Sequence, residues 1–289
     1  MPNRVSLISL CLSVSLGFGG IAQPAFGQAL VPHTVQLNSK KLSQQGLLLA
    51  REAARLAQLQ QYDLAIARAR LSTQMAPGAY QPWLLLGGLH LQLGEVNDGV
   101  KALEKARNLE SKNASILFTL GSAYFQQKRY TASVRELEAG LRIEPDVPEA
   151  LFDLGNAYFM LGKGNEAIAH YRQAVKENKE FWPAINNIGL VLYEMGKVED
   201  AKKQWEAAVE VDEDAAEPWL AIAVATYIKG DEQRGIRLAE KALKIDRRYS
   251  NLEFLKENLW GEKLLEDAKT LLETPRLRDN FSVGEGEPS

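Results

Sequence analysis

Apolar and polar positions along this chain follow the helical period, and the pattern itself recurs every 34 residues. It is clearest from Pro148 to Phe181. Leu151, Leu154 and Tyr158 fall one turn apart, a break follows at Gly162-Lys163-Gly164, and Ala167, Ile168, Tyr171, Ala174 and Val175 then resume the spacing. Steps of three and four residues put these side chains on one face of a helix. The stretch therefore predicts two helices joined by a turn, with Pro148 in a first turn where a missing N–H is harmless. Shifted by 34 residues, the pattern marks units at 46–79, 80–113, 114–147, 148–181, 182–215 and 216–249. Self-similarity at this period signals a solenoid in which each unit packs on its neighbours.

Within a unit, position 8 is Ala53, Gly87, Gly121, Gly155, Gly189 and Ala223. Position 20 is Ala65, Gly99, Ser133, Ala167, Ala201 and Gly235, and position 27 is Ser72, Ala106, Gly140, Ala174, Ala208 and Ala242. All are small, which lets helix backbones approach while larger side chains fill the space beside them. Position 4 supplies such fillers: Leu49, Trp83, Leu117, Leu151, Ile185 and Trp219.

These positions carry a resemblance. Leu154, Gly155, Tyr158, Ala167, Tyr171 and Ala174 match the tetratricopeptide-repeat (TPR) pattern, and the other units follow it. The resemblance implies an all-α fold, a right-handed superhelical α-solenoid of six helix-turn-helix repeats. The family's proline near position 32 survives as Pro77 and Pro145 only, and Glu52 at position 7 makes the first unit degenerate, as a cap would be.

Both flanks leave the period. Residues 1–27 hold one charge, Arg4, then an apolar run from Val5 to Phe18 and small residues at Ala25 and Gly27. That is the layout of a secretory signal peptide, with an uncleaved membrane anchor over Val5–Ala22 as the alternative. Residues 28–45 read as a leader and the start of the first helix. At the other end, 250–273 reads as an amphipathic capping helix, bent at Gly261, over the open end of the sixth repeat. Residues 274–289 are polar and aperiodic and are expected to be disordered.

Composition narrows the function more than it identifies it. Net charge is −3 with no basic cluster, which argues against a nucleic-acid face. The single cysteine, Cys11, lies in the apolar run, so a cleaved protein would have no thiol chemistry. No phosphate-binding loop, nucleophile elbow or HExxH is present. His90 takes a packing position, His170 is expected in solvent, and His33 falls in the leader; none has a partner at metal-ligand spacing. The expectation is a non-enzyme without cofactor or metal.

In the family the first helices line a concave groove with positions 2, 5, 6, 9, 12 and 13. Carried over, these give Phe118 and Phe125 from the third repeat and Phe152, Asp153, Asn156 and Phe159 from the fourth. The fifth offers Asn186, Asn187, Leu190 and Tyr193, and the sixth Tyr227. Phe118 and Phe152 are the expected anchors for a partner segment, whereas Phe125 and Phe159 suit the groove or helix packing equally. A carboxylate clamp is excluded, since no unit pairs lysine at position 5 with asparagine at position 9; one asparagine at position 6, Asn187, makes no asparagine ladder.

The expected function is an exported scaffold or assembly factor that binds a protein segment in this groove. It is similar to lumenal TPR proteins of photosynthetic membranes, with the periplasm or thylakoid lumen as its place. Membrane association would come through partners or an uncleaved N-terminus. The runner-up is metal delivery or buffering by the groove's carboxylates, Glu149, Asp153, Glu194 and Glu217.

Overall fold

The computed structural model describes residues 38–281, and all regular structure among them is helical. The signal peptide and most of the leader lie outside the described residues. The first repeat comprises α1 (Ser39–Gln58) and α2 (Tyr62–Met75), the second α3 (Tyr80–Gln92) and α4 (Val96–Leu109). Then come α5 (Ala114–Gln126) with α6 (Tyr130–Leu141), α7 (Pro148–Met160) with α8 (Gly164–Glu177), and α9 (Trp182–Glu194) with α10 (Val198–Val211). The sixth pair is α11 (Ala216–Ile228) and α12 (Glu232–Ile245), followed by a 3-10 turn at Arg247–Ser250. Each helix packs on its hairpin partner and on the next unit, so the chain is an α-solenoid. The first helix starts at Ser39, within the 28–45 stretch read as leader and start of that helix, and nothing between Ser39 and Gly46 breaks it.

One turn geometry closes every hairpin. Position 15 has a positive φ throughout: Gln60, Gly94, Lys128, Gly162, Gly196 and Gly230. The N–H of the next residue donates back across the turn, as in Lys163 N to Tyr158 O at 2.9 Å. This is the Schellman closure of a helix C-terminus. Glycine adopts it freely, whereas Gln60 and Lys128 bear a left-handed backbone that L residues disfavour.

The small position 8 has a matching partner at position 24 of the same hairpin. A Cβ on Gly87 would meet Leu103 at 2.6 Å, on Gly121 Leu137 at 2.6 Å, on Gly155 Tyr171 at 2.5 Å, and on Gly189 the Trp205 ring at 2.3 Å. In the first and last repeats both sides are alanine: Ala53 with Ala69 and Ala223 with Ala239. All the large partners are fully buried. Burying such a side chain is worth about 2 kcal/mol, and the bare glycine is what admits it.

Beyond the sixth repeat the chain departs from the expected single capping helix. It forms α13 (Leu252–Glu257), α14 (Glu262–Leu272) and α15 (Pro275–Phe281). The break between α13 and α14 repeats the hairpin turn: Leu259 has φ 66° and Trp260 N donates to Leu255 O at 3.1 Å. This is a seventh helix-turn-helix with a first helix cut to six residues. Its second helix therefore folds back onto the first helices α9 and α11 instead of merely covering the end of the array. Part of the tail expected to be disordered is α15, which packs on α12 and α14 with Leu277 buried. Pro275 opens that helix where proline is tolerated.

Candidate protein-binding groove

The groove positions fall into two sets that the structure treats differently. In repeats 5 and 6 most of them are covered, with Ile228 left exposed. Asn186, Asn187, Leu190, Tyr193, Leu220 and Val224 are all buried, with α14 lying against their helices. In repeats 1 to 4 Arg51, Gln92, Ser115, Gln126 and Glu149 are exposed, and Leu84, Leu85, Gly88, Thr119 and Ser122 are half-buried. A hollow opens there between α1, α3 and α5, with Leu85, Gly88 and Thr119 among its lining. Gly88 has nothing within 4 Å of where a Cβ would stand, so its backbone lies bare at the surface.

The covering segment is held by side chains from the groove itself. Gly261, which precedes α14, has no side chain to cap it. Glu194 at the end of α9 does so instead, accepting from Lys263 N at 3.2 Å and Leu264 N at 3.0 Å. Tyr193 donates its hydroxyl to Asp267 at 2.7 Å, and Lys263 Nζ stands 5.0 Å from the Tyr193 ring centroid. Burial and the Asp267 carboxylate push the Tyr193 phenol far up. Trp260 is buried, and its indole donates to Glu217 at 2.9 Å. Leu264, Ala268 and Leu271 are wholly buried on the same face of α14.

Beneath it a buried polar chain links three repeats. Tyr171 Oη donates to Asn156 Oδ1 at 2.7 Å and Asn187 Nδ2 to the same oxygen at 3.0 Å. Asn186 Nδ2 donates to Asn187 Oδ1 at 3.1 Å, and Trp205 Nε1 to the Asn186 carbonyl at 3.1 Å. Glu217 closes the row, and burial raises its carboxyl to about 7 against hydrogen bonds from Trp260, Asn186 and Tyr249 that lower it. Asn156, Asn186, Asn187, Leu190 and Tyr193, expected to face a partner, thus serve the chain's own core and its C-terminal segment. A buried amide or carboxylate is stabilised by pairing, and this row links neighbouring first helices while leaving Asn186 Oδ1 as its one amide oxygen without a partner.

The aromatic candidates are placed as follows. The Phe118 ring lies over Gly140 of α6, where a Cβ would come within 2.4 Å of it. Phe152 packs against Tyr171 (centroids 5.7 Å apart) and edge-on to Phe181 (5.3 Å). Phe125 pairs with Tyr130 at 5.3 Å, and Phe159 packs on the core. Tyr227 is half-buried, with its backbone against Gly235. Asp153 accepts from the Ser122 hydroxyl across the repeat 3–4 boundary, and burial raises its carboxyl. His170, expected in solvent, is half-buried and stacked on Tyr158 at 5.4 Å. His90 is buried, with Nδ1 2.5 Å from Glu95 Oε2.

Among the described residues no three His, Cys, Asp or Glu side chains cluster as metal ligands would, and no helix is long and apolar enough to cross a membrane. What the arrangement offers is a channel with a solvent-facing half and a self-occupied half.

Helical hairpins of this length, packed through small residues into a solenoid, define a repeat scaffold. Three family models match parts of the chain: a TPR repeat at residues 121–162, and tetratricopeptide repeats at 148–181 and 186–250. Those stretches carry tetratricopeptide repeats. No curated protein matches it. Among solved structures it is similar to MamA, at 25% identity and a TM-score of 0.53 over 56% of this chain and 94% of that one. It is similar in fold to YrrB, described as a TPR protein with an unusual peptide-binding site, at 20% identity and TM-score 0.51 over 70% of this chain and 98% of that one. The pilF protein of Pseudomonas aeruginosa aligns at 14% identity and TM-score 0.61, over 76% and 98% of the respective chains.

Proposed function

We propose that this chain is an exported, non-catalytic scaffold or assembly factor that holds a segment of a partner protein in the groove of repeats 1 to 4. One contrast carries the reading: the positions that are buried under α14 in repeats 5 and 6 are, Ala50 and Asn156 apart, left exposed or half-exposed in repeats 1 to 4. A groove surface that a domain leaves concave and partly apolar is the usual place for a ligand. TPR scaffolds bind protein partners, and YrrB, a neighbour in fold, is described as peptide-binding. Export rests on the sequence of residues 1–27 alone, and the resemblance to lumenal TPR proteins supplies the periplasm or thylakoid lumen as the place.

The test is capture of crosslinked partners by the wild type and by Gly88→Trp. A Cβ at Gly88 would meet no neighbour within 4 Å, and the indole of the variant would stand in the hollow lined by Leu85 and Thr119. Partners held in the groove should be lost in the variant while its melting temperature stays put. An unchanged capture profile would move the binding surface elsewhere. A reporter fused after residue 35 tests export separately, with the mature terminus expected near Gln28.

A further inference from the structure

Five charged residues occupy groove positions: Arg51, Glu149, Asp153, Glu194 and Glu217. Glu194 and Glu217 are engaged by the C-terminal segment. What remains open has opposite signs at its two ends, with exposed Arg51 in the first repeat and exposed Glu149, beside Asp153, in the fourth. Between them lie the partly apolar wall of Leu84 and Leu85, the bare backbone of Gly88, and small hydroxyl side chains such as Thr119.

The covered half shows what this surface does with a helix. A groove carboxylate accepts from the free N–H groups at the start of α14, a lysine in that first turn lies over a groove tyrosine, and an apolar stripe faces the repeat helices. A helix N-terminus carries unsatisfied donors and a partial positive charge, and its C-terminus the reverse. The open half is charged to receive the same object: acidic where an N-terminus would start, basic where a C-terminus would end.

Resting on the reading that the open groove binds a protein segment, we propose that its occupant is an amphipathic helix. Its first turn lies at Glu149, is neutral or basic, and lacks acidic caps of its own. Its last turn lies at Arg51 and is neutral or acidic. The helix crosses four first helices. At about 9 Å per step, three steps span about 27 Å, or about 18 residues at a 1.5 Å rise. Its apolar stripe carries small residues opposite Thr119 and larger ones opposite Leu84 and Leu85.

The test uses the full chain and three synthetic 18-residue peptides, the first two of one composition. The first is a leucine- and alanine-striped helix with lysines in its first turn and glutamates in its last. The second has that charge order reversed. The third has the charge order of the first but is interrupted by prolines so that it cannot be helical. Wild type should bind the first about tenfold more tightly than the second, with the difference shrinking as salt is raised. Arg51→Glu/Glu149→Lys, both at exposed positions, should invert that preference with no loss of melting temperature. Equal binding of the two helices, or no binding of either, overturns the proposal. Binding of the proline peptide as tight as the first overturns the helix but leaves the groove reading standing. Binding that survives Gly88→Trp removes both.

Discussion

The Trp260 indole donates to the Glu217 carboxylate at 2.9 Å, joining the C-terminal segment to the first turn of α11 through a fully buried acid. Burial raises that carboxyl from an ordinary 4.5 to about 7. The folded state therefore binds a proton there that the unfolded chain releases, so stability is highest below about 4.5 and declines as pH rises toward 7. The full penalty is about 3 kcal/mol. Glu217→Gln keeps the shape and an acceptor for Trp260 but removes the titration. Urea unfolding at pH 5 and pH 8 should show the variant gaining on wild type by up to that amount between the two. A difference that stays constant with pH would mean Glu217 is not buried in the way described.

Glu194 caps α14 from another element, and this gives a coupled pair. A Cβ on Gly261 would meet the Glu194 carboxylate carbon at 2.2 Å, while the Gly261 backbone (φ −75°, ψ 171°) is open to any residue. Glu194→Ala should cost about 1 kcal/mol, the usual worth of a cap. Gly261→Ala should cost a similar amount by pushing that carboxylate aside, and almost nothing once Glu194 is already alanine. Additive losses in the double-mutant cycle would show that the two do not share one contact.

Neighbouring glycines on α3 should behave oppositely. Gly87→Ala would push a methyl into Leu103 and should destabilise by about 1–3 kcal/mol. Gly88→Ala meets nothing and, in a helix interior, should stabilise by up to about 1 kcal/mol. Chemical melts of the two single variants decide it, and matching signs would put the helix rotation in error.

The repeating half of this fold was legible because close packing leaves a periodic trace: small residues recur at positions 8, 20 and 27 wherever backbones meet. The partner of position 8 was readable too, since position 24 runs Ala69, Leu103, Leu137, Tyr171, Trp205 and Ala239, large wherever position 8 is glycine. The docking of α14 was not legible from its own amphipathic spacing, which suits any cap. Its signal lay in the receiving surface. Leu190, Leu220 and Val224 are more apolar than an open groove needs, and Trp260-Gly261 stands where a buried indole and an uncapped helix start are required. Family positions alone say which way a side chain points but not what already covers it, hence the misplacing of Asn186, Asn187 and Tyr193.

Phe118 and Phe152 separate packing from binding. Phe118 fills the space over Gly140, which a Cβ would enter at 2.4 Å from its ring. Phe118→Ala should cost about 2 kcal/mol, below the range for a fully buried phenylalanine because the residue keeps some exposure. Gly140→Ala alone should also destabilise, by crowding that ring. Combined with Phe118→Ala, the new methyl has room and gains helix propensity of about 1 kcal/mol, so the second substitution should change sign and restore part of the loss. A residue that mainly anchors a partner would show no such rescue, because removing its ring would leave Gly140 no less crowded. Phe152→Ala should likewise lower the melting temperature by exposing Tyr171 and Phe181, its ring neighbours. In all of these variants the folded fraction should bind the lysine-first helix as wild type does. Full stability with binding lost in Phe118→Ala/Phe152→Ala would instead return both rings to the partner surface.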